Sequence, residues 1–580
     1  MIDDDSISNN STARPFQDIL HSFTSRRKIL AGGMGVAATS FFGASVVAAE
    51  YNEKGANGNN KGKKQLVGFT PVPVAGGGGL TPRISPEYNY DVIIPWGDPI
   101  APGSLETIGI GHDGMHFFPL GNSNDHGLLV INHEYGDNIV VLGKNTPSSL
   151  DDVRTSQYAH GVAVIELEKT NGSWNTVNTG GYARRIHVNT PVTFSGPVAG
   201  SALLENPAGN QPKGTVNNCA NGYTPWGTYL TCEENFNGYF GSTGVWARTE
   251  AQRRYGFSAG SAYGWHLFDE RFDLSNPDYV NEDKRFGWIL EVDPLNPDSV
   301  PVKRTALGRF KHEGIAITEG LGGRIVGYMG DDERNDYIYK FVSEANWKSM
   351  RAKGKHPLDH GKLYVAKFND NGTGNWLELT IDNPVLAAKF NDQAEVLIFA
   401  RQASDFLGAT PMDRPEWTTV APNGLVYCTL TNNTARTTAT APNPQAPNPD
   451  GHIIRWLDSN HHVGLTFNWD IFVLASSTHG TEESFASPDG LWADPDGRLF
   501  IQTDGRQHDG LNDQLLVADI GTGEIKRLFE SVFGAEVTGI TATPDRRSLF
   551  FNLQHPSSET TVPRDATIVI SRKDGGIVGS

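Results

Sequence analysis

Ser487-Pro-Asp-Gly-Leu-Trp-Ala-Asp-Pro-Asp-Gly-Arg-Leu-Phe-Ile-Gln-Thr503 holds two Pro-Asp-Gly turns, and a strand-length apolar run follows the second. In such a turn Pro presets φ, Asp bonds its own backbone and Gly supplies positive φ, while the Arg498-Leu-Phe-Ile-Gln502 run has the length and residue types of a buried strand. The unit recurs on both sides. Gly127-Leu-Leu-Val-Ile131, Gly161-Val-Ala-Val-Ile-Glu-Leu167, Gly287-Trp-Ile-Leu-Glu-Val292, Tyr337-Ile-Tyr-Lys-Phe-Val342, Leu425-Val-Tyr-Cys-Thr-Leu430, Gln514-Leu-Leu-Val-Ala518 and Ala566-Thr-Ile-Val-Ile570 are all strand-length and bounded by turn residues. Only residues 343–352 and 391–406 show helical spacing. Strands spread over nearly the whole chain without alternating helices exclude a doubly wound α/β domain, and they are too many for one sandwich. The fold class expected is all-β: a β-propeller with inserted loops and a few short helices, whose radial repetition removes free edges.

Polar clusters close the strands: Asn132-His-Glu134, Cys232-Glu-Glu-Asn235, Lys311-His-Glu-Gly314, Arg414-Pro-Glu416, Ser487-Pro-Asp-Gly490 and Thr538-Gly-Ile-Thr-Ala-Thr-Pro-Asp545. Six clusters point to six blades, with five or seven as alternatives. If each lies where an inner strand meets the channel, all converge on one axis.

Composition narrows the function. The chain has 580 residues, 66 acidic against 48 basic, a formal charge of −18 and three cysteines. No basic surplus exists for gripping nucleic acid, and three cysteines do not make a disulfide scaffold. With 38% apolar residues the chain can bury a large core. Gly (65) and Pro (33) together favour turns over long helices.

The amino terminus reads as an address. Ser25-Arg-Arg-Lys-Ile-Leu30 precedes a Gly/Ala-rich apolar stretch ending at Val47-Ala-Ala49, the pattern of a twin-arginine export signal at residues 1–49. A transmembrane anchor is the alternative, but the stretch is rich in small residues and ends in a cleavage-like site. No later run reaches the ~18 apolar residues of a span, so a mature protein without a membrane anchor is expected, periplasmic or secreted. Residues 50–84, rich in Gly, Asn and Lys, read as a flexible arm, and residues 85–580 as a single propeller domain.

Convergent carboxylates without matching lysines repel one another unless they are solvated or coordinate cations. Glu134, Glu233, Glu234, Glu313, Glu416, Asp489 and Asp504 are therefore metal-ligand candidates, and oxygen-rich sites suit calcium. Taken singly, each is also explained as a solvated loop acid or turn former. Cys219, flanked by Asn and Gly, has three readings: a thiolate ligand for iron or zinc, a buried free thiol, or a disulfide partner of Cys232. Cys428, inside an apolar run, reads as core. Gly256-Phe-Ser-Ala-Gly260 matches a nucleophile elbow without its strand and helix, and Gly109-Ile-Gly-His-Asp-Gly114 matches a dinucleotide fingerprint that Pro119 prevents from opening a helix.

Gly111-His-Asp-Gly-Met-His116, Asn132-His-Glu-Tyr135, Asn217-Asn-Cys-Ala-Asn-Gly-Tyr-Thr-Pro-Trp-Gly227, Leu230-Thr-Cys-Glu-Glu-Asn235, His312-Glu-Gly314, Gly330-Asp-Asp332, Arg414-Pro-Glu-Trp417 and Ser487-Pro-Asp-Gly-Leu491 together resemble the PhoX-type bacterial alkaline phosphatases, over essentially the whole mature chain and in the same order. The resemblance implies a six-bladed propeller hydrolysing phosphomonoesters with two ferric ions, three calcium ions and a bridging oxo group. It places Cys219, Glu234 and Glu313 at iron, and Arg414 and Glu416 beside the phosphate and calcium. Glu134, Asp489 and Asp504 are calcium candidates.

His312 or His133 is the candidate for protonating the leaving alkoxide, with a supporting hydrogen bond as the other reading. Rival readings are a calcium-dependent lactonase-like hydrolase, which needs no thiolate, and a non-enzymatic calcium-stiffened binding propeller. Partners expected are small phosphomonoesters and the twin-arginine export machinery, and the chain is expected to act as a monomer. The implied cations carry about +10 with the oxide, enough to offset much of the −18.

Overall fold

The computed structural model describes residues 66–580. The expected export signal and the first part of the arm lie outside the described residues.

Strands dominate, in antiparallel meanders that close into a ring. Blade 1 holds His112–Pro119, His126–His133, Gly161–Thr170 and Ser173–Val177. Blade 2 holds Asn218–Tyr223, Tyr229–Glu233, Ile289–Val292 and Val302–Arg304. Blade 3 (His312–Gly320, Arg324–Asp331, Ile338–Asn346, Gly361–Phe368) and blade 4 (Pro415–Val420, Val426–Leu430, His452–Asp458, Thr466–Leu474) are fused into one sheet by Thr373–Glu378, which pairs with both outer strands. Blade 5 holds Pro488–Ala493, Arg498–Thr503, Gln514–Asp519 and Ile525–Glu530. Blade 6 takes Glu536–Ala542, Leu549–Gln554 and Ala566–Arg572 from the carboxyl end and Tyr88–Ile93 from the amino end. Each inner strand packs beside the next around the axis, and that of blade 6 meets that of blade 1. The ring thus has six blades, and pairing of the two chain ends closes it.

The inner strands share one local construction. The first residue of each pairs with the last residue of the second strand: His112 with His133, Asn218 with Glu233, His312 with Asp331, Pro415 with Leu430, Pro488 with Thr503 and Glu536 with Gln554. A register shift interrupts every one of these hairpins. Bulges of this kind re-aim side chains beside functional sites. Just before the inner strands of blades 1, 2, 4 and 5, Gly111, Asn217, Arg414 and Ser487 have left-handed backbone, φ 64°, 47°, 55° and 49°. That sharp entry is costly for the three non-glycine residues and marks a position held by its surroundings.

The long insertions follow second strands (134–160, 234–288) or last strands (178–217, 379–414), the connections that lie on one face of the ring. Residues 234–288 form a cap with its own aromatic core, including Phe236, Tyr239, Phe257, Trp265 and Phe272. The expected helix at 343–352 is shorter: Ile338–Asn346 continues as a strand and only Trp347–Ala352 is helical. The 391–406 expectation resolves into two helices, Gln393–Ile398 and Ala400–Leu407, the second capped by left-handed Gly408.

The arm differs from expectation from residue 66 onward. Val67, Phe69 and Val72 are buried, Val72 exchanges backbone and side-chain hydrogen bonds with Arg527, and Arg83–Ile84 adds a fifth strand to blade 5. The apolar residues win over the Gly-rich composition because blade 5 offers an open edge and an apolar flank.

Candidate metal centre

Side chains alternate across a strand, and this decides which member of each polar pair reaches the axis. Asp113, Cys219, Glu313, Glu416 and Asp489 are the second residues of inner strands 1 to 5, while Glu134, Glu234, Asp332, Asp504 and His555 stand one residue past second strands. All ten line one cavity of about 330 Å³ on the capped face, joined by Glu536. The first members of the pairs turn away. His112 bonds the carbonyl of Ile94 at 3.0 Å, and Asp331 pairs with the fully buried Arg401.

Three candidates leave the site on this ground. Glu233 is turned off the axis, pairing with buried Lys303 at 2.7 Å and accepting from the amides of Gly287 and Trp288. His312 does not line the cavity: its Nε2 meets the carbonyl of Gly308 at 2.9 Å and its ring lies against Phe310. Burial pushes its pKa down to about 3, so at neutral pH it is the neutral imidazole, whose one N–H is donated to the Gly308 carbonyl. His133 is also buried off the cavity, accepting from the amide of Gly109 at 3.3 Å. The structure removes both histidines from a leaving-group role.

Three donor sets converge in the cavity. Cys219, Glu234 and Glu313, then Glu313, Glu416 and Asp489, then Asp504, Glu536 and His555, each have ligand atoms within 4.8 Å of one another. Glu313 belongs to two of them, so the first two sets are contiguous. Cys219 is a free thiol, as is Cys232, and its Sγ lies 3.1 Å from the carbonyl of His312. The disulfide reading is thereby set aside.

Sequence reasoning missed Asp113, Asp332, Glu536 and His555. Asp113 was readable, because His112-Asp-Gly114 repeats the His312-Glu-Gly314 pattern. Glu536 and His555 stand at the blade closed by the two chain ends, where no motif marks them.

Arg414 is held in place by Asp332, which accepts from Nε at 2.9 Å and from Nη2 at 2.8 Å. Its Nη2 also lies 3.2 Å from Glu416. Lys311 and Arg334 complete the basic lining. Ten carboxylates (Asp113, Glu134, Glu234, Glu313, Asp332, Glu333, Glu416, Asp489, Asp504, Glu536) face three basic side chains, a formal charge of −7 in a small enclosed volume.

That imbalance is visible in the protonation equilibria. Burial, then neighbouring carboxylates, pushes Glu134, Glu234, Glu313, Glu416, Asp489 and Glu536 well above the usual carboxylate range, and burial raises Asp113 to about 7. Burial, with Glu313 and Glu234 next, also raises the Cys219 thiol. For Asp332, burial is outweighed by Arg414, and its pKa is lowered. Buried Oδ1 of Asp504 has no hydrogen-bond partner among the described residues. An orphaned oxygen, mutually repelling acids and a thiol among them fit a group of cations.

The motifs set aside in the sequence have other work. Gly114 brings blade 1 against blade 2, since a Cβ there would lie 2.7 Å from the Cys219 carbonyl oxygen. Gly256, Ser258 and Gly260 belong to the cap and line the cavity mouth.

The family model for alkaline phosphatase PhoX matches residues 67–557. The chain belongs to the PhoX alkaline phosphatase family. PhoX enzymes are metal-dependent, secreted or periplasmic phosphomonoesterases, and the chain is such a hydrolase. Among solved structures it is similar to Pseudomonas fluorescens PhoX in complex with vanadate, a transition state analogue. The two are 42% identical with a TM-score of 0.83, over 89% of this chain and all of that one.

A protein of unknown function from Dyadobacter fermentans (9% identity, TM-score 0.38, 84% of this chain and 100% of that one) carries no argument. Nor does a gluconolactonase from Xanthomonas campestris (9%, 0.28, 81% and 99%). No curated protein matches the chain by sequence. PhoX membership answers the lactonase and binding-propeller rivals. Among the described residues no helix is long and apolar enough to cross a membrane.

Proposed function

We propose that this PhoX phosphatase cleaves small phosphomonoesters at the propeller axis, where the lining residues would hold two ferric ions, three calcium ions and an oxo group. The supporting observation is the meeting of ten carboxylates and one thiol with three basic side chains in one cavity. Cys219, Glu234 and Glu313 would hold iron, the one set with a sulfur donor. Glu416 and Asp489 would hold calcium, as would Glu134, Asp504 and Glu536, with the His555 imidazole standing beside that end.

When bound, the cations supply Lewis acidity and neutralise the charge of a phosphate ester in a cavity that is otherwise acidic. The chain's own residues bind and orient. Nη1 of Arg414, which has no hydrogen-bond partner among the described residues, grips a phosphate oxygen, while Asp332 positions the guanidinium through Nε and Nη2. Lys311, paired with Glu333 at 3.2 Å, and Arg334 add positive charge to the same cavity. Tyr135, Tyr239 and Tyr263 line the cavity and restrict water and ester size. No phospho-enzyme serine is used, because the Ser258 hydroxyl in the wall donates to the Gly260 carbonyl (2.8 Å) rather than to a base. The enzyme acts as a monomer exported by the twin-arginine signal at residues 1–49.

Elemental analysis of natively purified protein, paired with p-nitrophenyl phosphate turnover before and after calcium chelation, tests the cluster. The expected result is iron and calcium near two and three per chain, with turnover lost on chelation. Full activity without iron would overturn the thiolate site. Replacing Arg26 and Arg27 by Lys is expected to retain the protein in the cytoplasm.

A further inference from the structure

A second set of ligand-type side chains stands apart from the axis. Asp450 precedes the third strand of blade 4, His479 follows the turn after its last strand, and His508 lies in the loop after the second strand of blade 5. Their donor atoms lie within 4.8 Å of one another, and none of the three lines the central cavity. Nε2 of His508 is 2.7 Å from Oδ1 of Asp450, and Nε2 of His479 is 3.9 Å from the same oxygen. The two imidazoles face each other with centroids 3.9 Å apart.

A plain His–Asp hydrogen bond accounts for only part of this. It satisfies His508 and leaves His479, whose Nε2 is sealed from solvent and has no hydrogen-bond partner among the described residues. One cation with bonds of about 2.0–2.2 Å to each donor would satisfy all three, with His508 and Asp450 parting slightly from their 2.7 Å hydrogen bond to the roughly 3 Å or more that ligands of a common metal keep.

The surrounding backbone is built to hold the set. Asp509, next to His508 and left-handed at φ 57°, accepts from the Gly480 amide at 3.0 Å and from the Ser484 hydroxyl at 2.5 Å. These bonds lock the His508 loop to the His479 turn before any ligand arrives. Asp450 is buried, whereas the His508 side chain is 42% exposed, which leaves a coordination position open to water.

We propose that Asp450, His479 and His508 form a separate site for a zinc-class divalent cation. Two imidazoles and one carboxylate suit zinc or cobalt rather than calcium, which takes all-oxygen shells. The site staples the rim of blade 4 to that of blade 5. The Asp450 carbonyl accepts from the Ser487 amide at 2.8 Å and the Ser487 carbonyl from the Asp504 amide at 3.1 Å, so the staple adjoins the segments that carry Asp489 and Asp504.

Cobalt(II) titration of the full enzyme, purified with its central cations and freed of loose metal, tests the proposal by visible absorption and elemental analysis. Wild type is expected to take up one equivalent of cobalt with new d–d bands, lost in His508→Ala and in His479→Ala while iron and calcium content stays unchanged. Zinc is expected to raise the wild-type Tm and leave both variants unmoved. Equal cobalt uptake in wild type and folded variants would overturn the site. A wild-type Tm indifferent to zinc would overturn it without recourse to any variant.

Discussion

Strand alternation assigns opposite work to adjacent acids. Glu233 and Glu234 are neighbours in sequence, yet one pairs with Lys303 in the interior and the other faces the axis. Removing one partner of a buried pair leaves an uncompensated charge and costs about 3–5 kcal/mol. Glu233→Ala is therefore expected to lower Tm strongly in calorimetry while folded protein keeps its metals. Glu234→Gln is expected to do the reverse, keeping most of the stability and losing iron in elemental analysis. Cys219→Ala should likewise abolish iron retention, and unchanged iron would return the thiol to a structural role.

Arg414→Lys keeps the charge but loses the planar fork that Asp332 orients. One charged hydrogen bond is worth about 1.5–3 kcal/mol, so kcat/KM for p-nitrophenyl phosphate is expected to fall roughly 10- to 100-fold. At this scale the sequence was informative for Cys219, Glu234, Glu313, Glu416 and Asp489, because each sits in a short polar cluster closing an apolar run. It misled for Glu233 and His312. A cluster shows that polar residues meet a strand end, but not which of two neighbours points inward.

Among elements, the hairpin of inner and second strand is the unit that delivers ligands, and the approach of one hairpin to the next sets their spacing. Gly330 lies where blade 3 meets blade 4, and a Cβ there would come 2.2 Å from the Glu416 carbonyl oxygen and 2.3 Å from that of Pro415. Backbone cannot yield as a side chain can, and overpacking of this kind costs about 1–3 kcal/mol or more. Gly330→Ala is expected to lower Tm and to loosen metal held by Glu416, read as calcium lost on dialysis. Strand positions were legible because apolar runs between turn signals reflect local backbone preference. The bulges and left-handed entries at Asn217, Arg414 and Ser487 were not, since tertiary contacts impose them against local preference.

For the whole molecule, closure and charge are linked. The ring is completed by Tyr88–Ile93 pairing with Ala566–Arg572, and the cavity at its centre gathers acids from all six blades. With cations chelated, the buried acids hold protons in the folded state that the unfolded chain releases near pH 4–5. The folded state then binds more protons than the unfolded one above that pH, so stability falls as pH rises through the raised pKa values. Chelated enzyme is expected to melt at a lower temperature at pH 9 than at pH 6, and reloading with calcium and iron should remove most of that slope in calorimetry.

The sequence by itself determined the all-β class, the blade hairpins and the polar clusters that mark a PhoX phosphatase, since these rest on residue order and short-range periodicity. Only the tertiary structure decided which acid of each pair faces the axis, that Glu536 and His555 join the site, and that residues from 66 onward pack on blade 5. The physical reason is that ring closure and the docking of the arm rest on pairings between residues hundreds of positions apart, and until the ring is closed no axis exists for one acid of a pair to face, so no local window of sequence contains these energies.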